Sequence, residues 1–539
     1  MKSFGRFALA ALWPAWALAQ TSREPSLLPG LPPLSHPIAT SSLEAQKFFD
    51  QGLALVYAFN HEEAVRSFTR AAELDPKAAM PWWGVALALG ANINDPQPEA
   101  ARRERAREAV ERARSLASEG PEAERDYIEA LARRYAGEPA ADPKQLAADY
   151  NGAMRALAQK YPDDPDAATL FAESGMNLKP WKLWNNDGSP AEGTLEIVAV
   201  LEGVLRREPQ HPGANHYYIH AVEASPDPQR ALASADRLPS RAPGAGHLVH
   251  MPAHIQMRTG SYAAAARSNG RAAEADREYI RQTGAQGMYP AMYYNHNLHF
   301  AAAAWAMAGN WAEARKAADQ LSASATPLLA EMPMVEAFLT MPAFVSVRFQ
   351  RWGEVLRIPD PGPKFPILKT VWHYGRVLAL VAVRDGKRAQ AEKKQFDTAR
   401  ASVPPGAFYG NNTPGDVLAL AALVLEARLQ WLSGDRKASI ETWRRAVAAE
   451  DALAYDEPPP WYYPVRESLG AALLRDGRAT EAEAVFREDL ARNPRSGRSL
   501  FGLAEALKAE QLSADAAWVE RQFTAAWKDA DVKLRLEDF

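Results

Sequence analysis

Apolar and polar positions along this chain follow the rhythm of helices. Alternation with a period of two, the mark of a half-buried strand, is hard to find, and Ala, Leu, Arg and Glu dominate. Within the helical pattern, certain small and aromatic positions recur. Gly52, Ala64, Phe68, Ala71 and Pro76 near the start are echoed at the same offsets by Gly470, Ala482, Phe486 and Pro494 near the end. A glycine followed five residues later by an alanine recurs at Gly260/Ala265, Gly309/Ala314, Gly386/Ala391 and Gly477/Ala482. Such a set describes a pair of packed helices. The small residues let the two approach, the aromatic fills the gap between them, and the proline ends the second.

These offsets are those of the tetratricopeptide repeat, a helix–turn–helix unit of about 34 residues that stacks into a solenoid. The predicted fold is therefore an all-α solenoid of stacked helical hairpins. One array is expected over 41–358 and a second over 366–530, with Pro359, Pro361, Pro363 and Pro366 marking the boundary. A length of 539 residues is long for one globular core and ordinary for a repeat array. Residues 97–135 carry dense charge (Arg102, Arg103, Glu104, Arg105) and read as solvated helices. Two aromatic stretches interrupt the pattern, Lys179–Gly188 and Glu457–Arg466. Their Trp181, Trp184, Trp461, Tyr462 and Tyr463 suit either packing between repeats or a lid over the concave face. Arg466 could hold a substrate carboxylate or one from a neighbouring helix.

The first nineteen residues follow another logic. Lys2 and Arg6, the apolar run Phe7–Leu18 and the Ala17-Leu18-Ala19 pattern read as a secretory signal peptide. The run is too short to span a bilayer. The expectation is an exported protein, periplasmic or secreted, without a membrane span after cleavage. Residues 20–40, with Pro25, Pro29, Pro32, Pro33 and Pro37, read as an extended lead-in. There is no cysteine, which excludes disulfides, thiolate metal ligands and cysteine nucleophiles. A formal net charge of −4 with well-mixed signs leaves no footprint for nucleic acid.

Chemistry enters with the histidines. Eight of the eleven fall between His211 and His299: His211, His216, His220, His247, His250, His254, His296 and His299. An even spread would put roughly two there. His216 and His220 lie four apart, on one face of a helix; His250 and His254 repeat that pair 34 residues later, one repeat on. His296 and His299 follow at a spacing of three. All three sets fall where the first helix of a pair lines the concave surface. Packed helices lie about 8–10 Å apart, so imidazoles from neighbours can meet on one ion at about 2.0–2.1 Å. Glu223 extends the first pair by one turn, and Glu173, Glu274 and Asp276 are carboxylates within reach of neighbouring helices. The candidate ligands are His216, His220, His250 and His254, with His247, His299 and Glu223 as additional ligands or supporting partners. A donor set of imidazole and carboxylate without sulfur suits copper, zinc, iron or nickel. Pro252 either opens or kinks its helix, which puts a shared face for His247, His250 and His254 in question. His211 reads as structural, and His36, His61 and His373 stand alone.

There is no His-Glu-x2-His helix, no Gly-x-Ser-x-Gly elbow, no phosphate-binding Gly-Lys-Ser/Thr loop and no dinucleotide fingerprint. The stretch from Pro212 to His220, followed by Ala245 to Ile255 and later by Glu457 to Arg466, resembles a family of exported bacterial tetratricopeptide-repeat proteins. That family is recognisable by HYYIHA…AGHLVHMPxHI and EPPxWYYPVR. The resemblance spans the mature chain and implies the solenoid fold, but transfers no reaction. The leading expectation is a metalloenzyme oxidising or hydrolysing a small substrate. The alternatives are a scaffold that binds a protein partner on the concave face, and a metal storage or delivery protein.

Overall fold

A computed structural model describes residues 23–137 and 141–539 of the chain. The expected signal peptide lies outside them. The described residues form helices joined by turns, with isolated bridges such as Trp184–Pro190 and no strand. None of these helices is long and apolar enough to cross a membrane.

Antiparallel hairpins follow one another: Leu43–Tyr57 with His61–Leu74, Asn295–Met307 with Trp311–Ala325, Val465–Arg475 with Ala479–Arg492. Phe68 and Phe486 are fully buried, each wedged between two glycines. A Cβ at Gly52 or Gly84 would run into the Phe68 ring, and one at Gly470 or Gly502 into that of Phe486. The spacing predicts an aromatic between the two helices of a pair; the structure adds the first helix of the next pair, so three helices meet around it.

The turn inside a hairpin follows a tighter rule than glycine plus alanine. A residue with left-handed backbone ends the first helix, and the residue five further on is buried. Gly260, Gly309 and Gly477 obey it with Ala265, Ala314 and Ala482. Phe59 and Gln511 obey it with Ala64 and Ala516, without glycine. The expected Gly386/Ala391 pair is shifted by two. Arg384 takes the left-handed position (φ 59°), Ala389 is the buried alanine, and Ala391 is exposed. A side chain in that conformation costs about 1–2 kcal/mol, which packing across the hairpin outweighs, so glycine is an unreliable marker of the turn.

The solenoid coils until distant repeats touch. Gly244 N donates to Gly30 O at 2.8 Å, which ties the lead-in to the middle of the chain. Tyr262 Oη reaches Pro494 O at 3.0 Å, and the Asp531 carboxylate accepts from the Trp311 and Ala312 amides. Arg348 and Glu467 form a buried ion pair between the two expected arrays. One hydrophobic cluster runs from Ala45 to Ile255 and another from Ala343 to Val519, with smaller ones between. The second begins ahead of the proline-rich stretch, because Phe344 stacks on Tyr462 at 4.5 Å. The first repeat, the histidine-bearing repeats and the loop at 455–457 consequently meet at one place.

Candidate metal centre

Helix Pro212–Val222 carries His216 and His220, and Glu223 follows at its C-terminal end. His247 and His250 lie on the short helix Gly246–His250, His254 on Pro252–Arg258. Met251 keeps helical angles between them, so Pro252 opens a new helix without breaking the face. His250 and His254 remain neighbours, with ring centroids 4.6 Å apart. The six histidines 216, 220, 247, 250, 254 and 296 form one array of imidazoles in mutual contact. All are buried except His296, which is half-buried.

Most of these rings are held from behind. His216 Nδ1 donates to the backbone carbonyl of Tyr57 (2.7 Å). This contact depends on Gly213, where a Cβ would collide with the Tyr57 ring. His220 Nδ1 and His254 Nδ1 donate to the two oxygens of Glu223, each at 2.6 Å. His250 Nδ1 faces Asn269 Oδ1 at 2.7 Å; the Asn269 amide is oriented by its own bond to Ala265 O, so the oxygen must be the atom presented. An acceptor at Nδ1 puts the ring proton there and leaves Nε2 with its lone pair.

Those Nε2 atoms converge. His250 and His254 bring theirs to 2.7 Å, and His216 meets Nε2 of His247 at 3.0 Å, hydrogen-bond distances at which one nitrogen of each pair carries a proton. His220 Nε2 is buried and has no partner. Phe59 covers the first group, its ring centroid 4.5 Å from His216 and 5.1 Å from His247. Phe300 lies 5.6 Å from His250 and 5.8 Å from His254. Burial, then the neighbouring imidazoles, hold His216, His247 and His250 well below the ordinary histidine range. Burial outweighs Glu223 at His220 and lowers it too. At His254 burial pulls down, but the Glu223 charge and hydrogen bond prevail and raise it. Glu223 would be raised by burial, yet the two imidazoles hold it well below the usual carboxylate range. Neutral imidazoles backed by acceptors are the form in which histidine ligates a metal, and the proton that His254 favours would leave when an ion binds. The residues present fit a transition ion.

The other candidates are placed elsewhere. His299 is turned away: its ring packs on Phe338 (5.4 Å), and its Nδ1 has no partner. His296, from the same expected pair, reaches His250 instead (4.8 Å). Their helix is entered through a wider π turn at Tyr289–Tyr294, which rotates the face relative to a plain α-helix. Glu173 is buried outside the array on Asn177, Asp276 binds Tyr289 and Asn297, and Glu274 is exposed. His211 caps its helix by accepting from Ala214 N and donates to Asp166, as a structural residue does. The histidines read as solitary have partners. His36 binds Asp166, His373 binds Glu392, and His61 stacks on Phe59. All three lie outside the centre.

The aromatic stretches separate in role. Trp181 stands edge-on to His220 at 5.3 Å, and Trp184 Nε1 donates to Ala221 O, so the first stretch covers the centre. Trp461, Tyr462 and Tyr463 pack with Phe344 and Tyr374 in the C-terminal core. Arg466 pairs with Asp451 and Glu488. Just before that stretch, Tyr455 bridges Glu223 (3.0 Å) and the buried Glu457 (2.6 Å). Trp181, His220, Glu223 and Tyr455 border a cavity of about 20 Å³, room for a molecule the size of water. Tyr57 O, Phe59, Asn269 and Tyr455 carried no ligand-like spacing in the sequence.

No family model and no curated protein matches the chain. Among solved structures it is similar to a human IFIT1 dimer with m7Gppp-AAAA, at 13% identity over 91% of each chain and a TM-score of 0.33. It is similar also to yeast Tom70, at 13% identity over 88% of this chain and 96% of that one, with a TM-score of 0.31. Scores this low carry no function across.

Proposed function

We propose that this chain is an exported metalloprotein that binds a transition metal through its buried histidine array and uses it on a small substrate, by oxidation or by hydrolysis. Export rests on the character of residues 2–19. The observation that carries the metal reading is the pairing of Nδ1 acceptors with converging Nε2 atoms, above all the unpartnered Nε2 of His220. Left without an ion, the desolvated His220 Nε2 is costly, roughly 1–3 kcal/mol for an unsatisfied buried group. An ion bound there removes that cost. The cavity beside His220 supports a water-sized coligand, the nucleophile that hydrolysis requires.

Storage is the second reading, favoured by the burial of the array. An azide-induced change in the spectrum of copper-loaded protein would mark an open coordination position and favour catalysis; an unchanged spectrum would favour storage. The founding test is elemental analysis of untagged protein beside a His216/His220/His250/His254→Ala variant whose helicity is checked by circular dichroism. Stoichiometric transition metal in the first and none in the second is expected. Folded wild-type protein that takes up no zinc, copper, iron or nickel overturns the reading and returns attention to a protein-binding scaffold.

A further inference from the structure

We infer that the histidine array holds two metal ions side by side, each bound by three imidazoles: His216, His220 and His247 for one, His250, His254 and His296 for the other. This rests on the metal reading above and adds the number of ions and the division of ligands. Within each group the potential ligand atoms lie within 4.8 Å of one another, whereas the six do not form a single such group. Two atoms bound to one ion at 2.0–2.1 Å can be no more than about 4.2 Å apart. A small closure of each trio suffices for one ion, while gathering all six on one ion would require moving helices.

Each trio is built alike. Each has a pair four residues apart, on the single helix Pro212–Val222 in the first trio and across the consecutive helices Gly246–His250 and Pro252–Arg258 in the second, and a neighbouring helix supplies the third ring: Gly246–His250 for the first trio, Asn295–Met307 for the second. Each contains one close Nε2–Nε2 contact, at 3.0 Å for His216 with His247 and 2.7 Å for His250 with His254. Tetrahedral ligands at this bond length stand about 3.3 Å apart, so an ion needs only a slight spreading of each pair. The trios adjoin through His247 and His250, whose ring centroids are 5.5 Å apart. Glu223 links them from behind, one oxygen on His220 of the first and the other on His254 of the second, and its charge offsets part of that of two cations.

A rival single site exists at His220, Glu223 and His254. It is disfavoured because both Glu223 oxygens already accept Nδ1 protons at 2.6 Å, which an ion there would have to displace.

The test is the stoichiometry of zinc retained after reconstitution and desalting, measured on the full chain. Wild-type protein should retain two equivalents, His247→Phe and His296→Phe one each, and the double variant none. Wild-type stoichiometry needs no variant to fold, and melting in chelator checks that the variants do. One equivalent in wild type, kept by both single variants, overturns the two-ion assignment, leaves the metal reading standing and points to the rival site. No retained zinc, copper, iron or nickel overturns both. As a second readout, copper(II)-loaded wild type should show dipolar broadening in its electron paramagnetic resonance spectrum that each single variant lacks. A sharp isolated-ion spectrum at two equivalents would overturn the adjacency of the ions.

Discussion

The Nε2 atoms of His250 and His254 face each other across 2.7 Å while the Nδ1 atoms of both rings are engaged, one by Asn269 and the other by Glu223. Two lone pairs cannot occupy that gap together, so at this distance one ring carries a proton between them, which an ion would displace while spreading the pair. The acceptors behind the rings set up this arrangement, and they are the first parts to remove.

Asn269→Leu keeps the volume of the side chain and deletes the acceptor behind His250. Loss of such a supporting hydrogen bond typically lowers metal affinity 10–100-fold. Competition against a chelator of known affinity should show a loss of that size, with helicity unchanged. Unaltered affinity would mean that Asn269 does not orient a ligand.

Trp181→Ala removes the ring that stands over His220. An aromatic contact of this kind is worth about 0.5–1.5 kcal/mol, so extraction of metal by a chelator should quicken roughly two- to tenfold. Stopped-flow extraction measures it. An unchanged rate would place the exit route elsewhere.

Asp489 is buried against Ser499 and Asn493; burial, with the charge of Glu467 behind it, pushes its carboxyl up to about 7. In the unfolded chain it titrates near 3.9. Below about pH 4 both states hold the proton and its contribution to stability is complete. As pH rises towards 7 the unfolded chain has ionised while the folded one has not, and stability falls by up to about 1.4 kcal/mol per pH unit. Above that both are ionised and the loss is complete. Melting of wild type and Asp489→Asn in chelator from pH 4 to pH 8 should show wild type losing ground steadily. Parallel curves would mean Asp489 is ionised throughout.

Phe486→Ala empties the space between Gly470 and Gly502. A buried phenylalanine cut to alanine costs about 3–5 kcal/mol, read as a lower denaturation midpoint. A loss below about 1 kcal/mol would show that these three helices do not depend on the aromatic wedge.

What the sequence by itself determined is local. A spacing of four puts His216 with His220, and His250 with His254, on one helical face wherever the helix goes. The glycines and aromatics at 52, 68, 470 and 486 specify hairpins because each acts on helices adjacent in the chain. Even there the rule slipped at Gly386. A left-handed turn residue need not be glycine, and Arg384 holds the position. The tertiary structure decided everything that depends on how far the solenoid coils. Tyr57, 159 residues from His216, supplies its acceptor, and Tyr455, 232 residues from Glu223, closes the site. It also chose His296 over His299, through a π turn that shifts the helical face. Such contacts are the sum of small rotations between many repeats. No spacing within a single helix records that sum.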